Sequence, residues 1–253
     1  MEEAKPVTAG LVVIGNEVLS GRTRDANTQF IGASLNDLGI RLTEVRVVAD
    51  SCDAIAEAVN ALRARSDYVF TTGGIGPTHD DITAQCVARA FGVELVCDPA
   101  AAALLERHYG PERFNESRRR MAFVPEGATL IENPVSAAPG FQIENVFVMA
   151  GIPRIMQAMF KSIAHRLSGG APLLSKTIAT DLGEGALAAD LGRLQDDFPA
   201  VEIGSYPSTA QGRMGVRLVL RSTDREILEE AGAACQAMVV SLGGAARELD
   251  YTA

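Results

Sequence analysis

The stretch Thr71-Thr72-Gly73-Gly74-Ile75-Gly76-Pro77-Thr78-His79-Asp80-Asp81-Ile82-Thr83 decides how this chain is read. It follows the apolar run Tyr68-Val69-Phe70, which reads as a buried parallel strand. It leads into Ile82 to Phe91, which reads as a helix. A glycine-rich turn from a strand end into a helix start is a ready anion site. Glycines let a ligand approach the backbone, and free helix N–H groups point at it. Here Asp80 and Asp81 share that turn. Two carboxylates beside a phosphate would repel it, so the arrangement implies a divalent cation between them. Oxygen ligands suit magnesium, manganese and cobalt alike.

Working outward, the same alternation precedes the turn. Thr8 to Ile14 is a nearly continuous apolar run, suited to a central parallel strand. Asn27 to Leu38 carries Ile31, Leu35 and Leu38 on one helical face and stops at Gly39, a natural C-cap. Ile40 to Val48 is a second strand. Asp50 and Ser51 are N-cap candidates for a helix bearing Ile55, Val59 and Leu62. This is the pattern of βαβ units, a parallel sheet and an α/β layered domain. Ligands of such sheets lie at the carboxyl ends of the strands. The loops Gly15-Asn16-Glu17, Asp50-Ser51 and Gly73 to Asp81 are therefore expected to open on one edge.

Residues 98 to 121 are helical in character and end on Arg118-Arg119-Arg120. A loop-rich stretch, Glu132 to Gly140, leads to a hairpin of Phe141 to Ile143 and Val146 to Met149. Gly151-Ile152-Pro153 opens a helix to about Leu167. Ser168-Gly169-Gly170-Ala171-Pro172 reads as a linker. Beyond it come a strand (Ser175 to Thr180), a helix (Ala186 to Phe198), two strands (Val201 to Tyr206, Val216 to Arg221) and a helix (Asp224 to Leu242). The expected domains are an α/β domain over 6–168 and a small α+β domain over 172–246.

A net charge of -9 argues against a nucleic-acid or anionic-membrane surface. Gly212-Arg213-Met214-Gly215 has the letters of an RNA-clamping GxxG loop, but it falls between two expected strands, not two helices. No run reaches transmembrane length, and the charged Met1 to Lys5 is unlike a signal peptide. The cysteines Cys52, Cys86, Cys97 and Cys235 show no zinc spacing. Cys86 and Cys235 fall on apolar helix faces and read as core packing. A reducing cytoplasm is the expected compartment.

Four blocks together resemble a known family. Gly73 to Thr83 is similar to the GG-[LI]-GPT-x-DD-[IV]-T signature of CinA (competence/damage-inducible protein A) proteins. It is equally similar to the molybdopterin-binding-like N-terminal domain of eukaryotic FAD synthases. Gly15-Asn16-Glu17-Val18-Leu19-Ser20-Gly21 matches GDE-[IL]-L-x-G, and Asp25-Ala26-Asn27-Thr28 matches D-[TS]-N-[ST]. Asn133-Pro134 through Ala138-Pro139-Gly140, then Gly151-Ile152-Pro153, match the NP-x-GTAPG and PG-[VI]-P blocks. The resemblance spans roughly residues 8 to 168, and residues 172 to 243 resemble the middle domain that follows in CinA proteins.

The resemblance implies a three-layer molybdopterin-binding-like domain and a divalent-metal-dependent pyrophosphatase acting on ADP-ribose or FAD. It also implies a nucleotide or pterin ligand and a homo-oligomer, dimer or trimer. Molybdopterin adenylyltransferases belong to the same superfamily. CinA proteins often carry a further nicotinamide-nucleotide amidohydrolase domain; with the sequence ending at Ala253, that activity is not expected. Asn16 stands where the family has Asp, Ser136-Ala137-Ala138 where it has Gly-Thr-Ala, and Met149-Ala150 where it has Leu-Pro.

Pyrophosphate hydrolysis needs charge neutralisation, an oriented water and contacts that hold the phosphates. Asp80 and Asp81 are the candidates for metal and water, with Glu17 a further metal ligand and Asp50 a further catalytic acid. N-capping competes as an explanation for Asp81 and for Asp50. Substrate-binding candidates in the first strand–helix region are Gly15, Asn16 and Asn27; for Asn27 capping is the equal alternative. In the glycine turn they are Gly73, Gly74, Gly76, Pro77 and Thr78. Downstream they are Asn133, Pro134, Ala138, Pro139, Gly140 and Gly151. Arg118 to Arg120 read first as a solvated helix face. Three readings stand: pyrophosphatase, molybdopterin-binding or adenylyltransferase protein, and non-catalytic nucleotide-binding module. The last draws on Asn16 and Ser136-Ala137.

Overall fold

The computed structural model describes residues 6–210 and 213–249; Met1 to Lys5 and Gly212 of the GxxG stretch lie outside them. The chain divides between Gly170 and Ala171 into two compact units.

The first unit runs β1 (Val7–Ile14), α1 (Asn16–Leu19), α2 (Asn27–Asp37), β2 (Ile40–Val48), α3 (Cys52–Arg63), β3 (Tyr68–Thr72) and α4 (Thr83–Phe91). It continues β4 (Leu95–Cys97), α5 (Pro99–Tyr109), α6 (Glu116–Arg119), β5 (Phe123–Pro125), β6 (Thr129–Ile131), β7 (Gly140–Ile143), β8 (Val146–Met149) and α7 (Pro153–Ile163). One sheet has the order β2-β1-β3-β8-β7-β6. β2, β1, β3 and β8 are parallel, whereas β7 and β6 run against their neighbours.

The continuous apolar sequence of β1 follows from burial on both faces. Ala9, Leu11 and Val13 pack with Ile31 and Leu35 of α2 and with Met156, Met159 and Phe160 of α7. Val12 and Ile14 face the other way, onto Ile55, Val59 and Leu62 of α3 and Val87 of α4. The result is the expected three layers, helix–sheet–helix. β2 alternates buried or half-buried with exposed positions, as an edge strand does. The expected residues 98 to 121 are not one helix: α5 stops at Tyr109, and α6 and a 3-10 turn over Arg120–Ala122 follow. That turn is held by Met121 and Ala122, which pack on Ala101 and Leu105 of α5.

Chain order puts the site where it is. From β1 the sheet grows to one side through β2 and to the other through β3. The crevice at this reversal, above the carboxyl ends of β1 and β3, is where open α/β sheets bind ligands. The loops after β1, β2 and β3 open there together, as expected from the sequence. So do the loop after β8 and the start of antiparallel β7.

The second unit is β9 (Leu174–Thr180), α8 (Glu184–Asp197), β10 (Glu202–Ala210), β11 (Arg213–Ser222), α9 (Arg225–Ser241) and β12 (Ala246–Leu249). Its sheet is antiparallel in the order β10-β11-β9-β12, and the described part of the GxxG stretch, Arg213 to Gly215, belongs to β11, paired with β10. Ile178, Leu218 and Leu220 pack on Leu187 and Leu194 of α8 and Leu228 and Cys235 of α9. Burial pushes the Cys235 thiol up to about 11, in keeping with a core residue. Among the described residues no helix is long and apolar enough to cross a membrane.

Candidate functional site

The glycine turn is stitched to the sheet by its own backbone. Gly73 has φ +113°, and a Cβ there would run into the Ile14 carbonyl oxygen of β1, so only glycine fits. The Gly73 N–H donates to the Met149 carbonyl of β8 at 3.1 Å. Buried Thr83, the first residue of α4, donates its hydroxyl to the Gly73 carbonyl at 2.9 Å and its N–H to that of Gly74 at 3.0 Å. Three strand ends and one helix start thus fix this backbone.

The two acids converge on Thr78. Its N–H donates to Asp81 Oδ2 at 2.8 Å, and its hydroxyl lies 2.6 Å from that oxygen. The same hydroxyl lies 2.6 Å from Asp80 Oδ1. Asp81 therefore does not cap α4; the capping position falls to Ile82, with no side-chain hydrogen bond. The Asp81 carboxylate also lies against Gly76, where a Cβ would push it aside. Asp80 is held below the usual carboxylate range, first by the Thr78 hydroxyl and then by its own backbone N–H.

Asp50 has a different task from the one its position in sequence suggests. Ser51 caps α3, accepting from the Ala54 N–H at 3.4 Å. Asp50 Oδ2 instead accepts from the Asn16 N–H at 2.8 Å, across to the start of α1. Glu17 folds back so that its carboxylate crowds Gly15. Asn27 does not cap α2: Asp25 Oδ1 accepts the Asn27 N–H at 2.9 Å. The buried Asn27 side chain donates to the Gly151 carbonyl at 2.8 Å, and its Oδ1 has no partner among the described residues. The buried hydroxyls of Thr71 and Thr72, at the end of β3, also lack partners among those residues.

Among the described residues no three His, Cys, Asp or Glu side chains gather closely enough to cage a metal ion. Glu17, Asp80 and Asp81 thus do not form a three-carboxylate cage. A solvent-accessible pair of carboxylates still fits a hard divalent cation that keeps waters and takes further oxygens from phosphates.

The remaining candidates fall into separate places. Gly74, Gly76, Asp81 and Pro139 line one cavity of about 240 Å³. Asn133 and Pro134 line another, of about 260 Å³, beside Arg107 and His108. Asn133 is engaged within its own loop: Nδ2 donates to Ser136 Oγ at 2.7 Å and to the Ala138 carbonyl at 2.8 Å. Its Oδ1 accepts from the Val135 and Ser136 N–H groups, both at 3.1 Å. Ser136 thereby keeps a hydroxyl in this loop, and Ala137 takes a left-handed φ of 60°. The arginines also separate. Arg118 lies over the Tyr109 ring at 4.3 Å and donates to the Arg113 carbonyl. Arg120 is exposed, as expected, and also lines the first cavity.

No cysteine spacing in the sequence marks a disulfide, yet the first unit contains one. Cys86 is buried, as expected, but its sulfur is bonded to Cys52, joining the first turns of α3 and α4. The signal lay in topology: successive βαβ crossovers of one hand place α3 and α4 side by side.

Comparison with known proteins agrees with this architecture. Residues 10–169 match the family described as "Probable molybdopterin binding domain", and residues 172–242 match "FAD synthase, middle domain". A strand-end glycine turn on a three-layer α/β unit, followed by that smaller module, defines the class. A protein of Aeropyrum pernix is 35% identical over 96% of this chain and 97% of its own length. A "CinA-like protein" of Salinibacter ruber is 35% identical over 86% of this chain, which spans 55% of that protein. The solved structure of CinA from Thermoplasma acidophilum, described as of unknown function, has a TM-score of 0.61 at 34% identity. It covers 64% of this chain and 98% of its own. The chain belongs to the CinA family.

Proposed function

We propose that the first unit hydrolyses the pyrophosphate of a dinucleotide-type substrate, ADP-ribose or FAD, with a divalent cation. The observation that carries this is the gathering of Asp80 and Asp81 on one hydroxyl at the end of the glycine turn, with Asp81 free of any helix-capping task. The match to a FAD synthase middle domain favours including FAD among the substrates.

In this reading the turn from Gly73 to Gly76 lets the pyrophosphate approach the backbone, and Asp80 and Asp81 would hold the cation and orient the attacking water. The bound cation would neutralise charge building on the phosphate oxygens. Water adds to one phosphorus, the bond to the bridging oxygen breaks, and that oxygen leaves on the other phosphate. ADP-ribose gives AMP and ribose 5-phosphate; FAD gives AMP and FMN. Thr78 holds both acids in place and favours the ionised form of Asp80.

The test is product analysis with ADP-ribose and FAD across magnesium, manganese and cobalt. Metal-dependent AMP release that Asp81→Ala abolishes, with folding intact by circular dichroism, is the expected result. Normal turnover by Asp81→Ala would refute it. The match to a probable molybdopterin binding domain favours a second reading, adenylylation of a pterin at the same edge. Adenylate transfer from ATP to molybdopterin, without hydrolysis of the dinucleotides, would select it.

A further inference from the structure

The cavity beside Asp81 is shared by the glycine turn and the Arg120–Ala122 turn: Gly74, Ile75 and Gly76 line it, and so do Arg120 and Met121. Its floor is apolar: Val124 and Phe141 are 3% and 2% exposed. Polar groups stand on its rim, among them the Gln85 amide on α4 and the Arg120 guanidinium. Neither makes a hydrogen bond or ion pair with the described residues. An apolar floor with a few hydrogen-bonding groups around it is how proteins seat a small planar ring. Arg120 is the cation of this lining, facing a site whose other charges, Asp81 and Glu116, are negative. Its backbone is fixed because Met121 and Ala122, next in the chain, are buried against α5.

Resting on the pyrophosphatase reading, we propose that this cavity is the subsite for the adenylate half of the substrate. The adenine ring lies on Val124 and Phe141, Gln85 reads its amino edge, and Arg120 pairs with the adjoining phosphate. A glutamine amide carries a donor and an acceptor side by side, which match an acceptor nitrogen and amino group of adenine. A guanidinium forks onto phosphate oxygens. Gly74, Gly76 and Asp81 line the same cavity, so a ring seated on its apolar floor has the turn within reach of its phosphate.

The test is calorimetric binding of AMP, adenosine and IMP to the metal-free full chain. It needs no turnover, so it separates this subsite from the catalytic reading. Wild type should bind AMP more tightly than IMP, in which an oxo group replaces the amine. Gln85→Ala should weaken AMP and adenosine alike by about tenfold, the worth of one to two neutral hydrogen bonds, and erase the preference over IMP. Arg120→Gln should weaken AMP by about tenfold or more and leave adenosine unchanged. Gln85 and Arg120 are both exposed, so either change should leave the fold intact. Failure of wild type to bind AMP, or wild-type affinities in both variants, would overturn the subsite. If hydrolysis still required Asp81 in that case, the pyrophosphatase reading would stand alone. If AMP bound as described but nothing were hydrolysed, the subsite would stand and that reading would fall.

Discussion

Thr78 and Asp81 are tied twice, through the Thr78 N–H at 2.8 Å and its hydroxyl at 2.6 Å, both to Asp81 Oδ2. The hydroxyl has one proton and lies equally near Asp80 Oδ1, so it serves one acid at a time. A lowered carboxyl pKa means that folding favours the ionised form. That preference is present above the unfolded pKa and is lost as pH falls through the folded one. In Thr78→Val the largest cause of the Asp80 shift is gone, and its titration should move up toward the ordinary 3.8. Carboxyl-carbon NMR across acid pH reads this directly. An unmoved Asp80 midpoint would show that Thr78 does not hold that acid.

Gly73→Ala tests the stitching of the turn. The new methyl meets the Ile14 carbonyl oxygen, and the backbone φ of +113° is hostile to any side chain. A loss of about 2–4 kcal/mol is expected in urea unfolding, from strain and forced movement of β1 against β3. A variant as stable as wild type would mean that the turn relaxes freely and does not fix the site.

Much of this was legible in the sequence because it repeats locally. β2 and β3 fall at the expected residues, and α2 ends beside a left-handed Gly39, since apolar period and capping residues mark such elements. The short pairs were not legible. β4 and β5 have three residues each, too few to show a period, and each finds its partner across α5. β12 was missed for the same reason. In the site, Asp80, Asp81 and Thr78 lie within four residues, so the two acids were readable; that Thr78 serves them was not, because the spacing fits a phosphate contact equally well. The reach of Asp50 to Asn16 crosses from one strand end to the next, which no linear spacing reveals. Arg120 joins the cavity only because the expected long helix breaks after Tyr109.

The Cys52–Cys86 bond should strengthen the face that carries both α3 and α4. It closes a loop with a sequence separation of 34, for which chain entropy suggests about 3–4 kcal/mol. Reductant should lower the urea midpoint of the wild type and leave Cys52→Ala unchanged. Equal sensitivity of both proteins would place the effect elsewhere, since Cys97 and Cys235 are free thiols.

Asn27 distinguishes a structural amide from a generic helix start. Its Nδ2 donates to the Gly151 carbonyl at 2.8 Å, joining α2 to the loop after β8 at the ligand edge. Asn27→Ala removes this donor and should cost about 1–3 kcal/mol, because the Gly151 carbonyl loses its partner and the loop its tie to α2. Asn27→Asp keeps the shape but cannot donate when ionised, and it brings a charge to a position only 5% exposed. It should therefore be less stable than Asn27→Ala at neutral pH and recover on acidification, when the protonated acid can donate to Gly151. The sign follows from burial, which raises a carboxyl pKa and makes the protonated form the one the fold prefers. Urea unfolding of both variants at neutral and mildly acid pH gives the order. If Asn27→Asp proved the more stable of the two at neutral pH, the amide would be donating to nothing that matters.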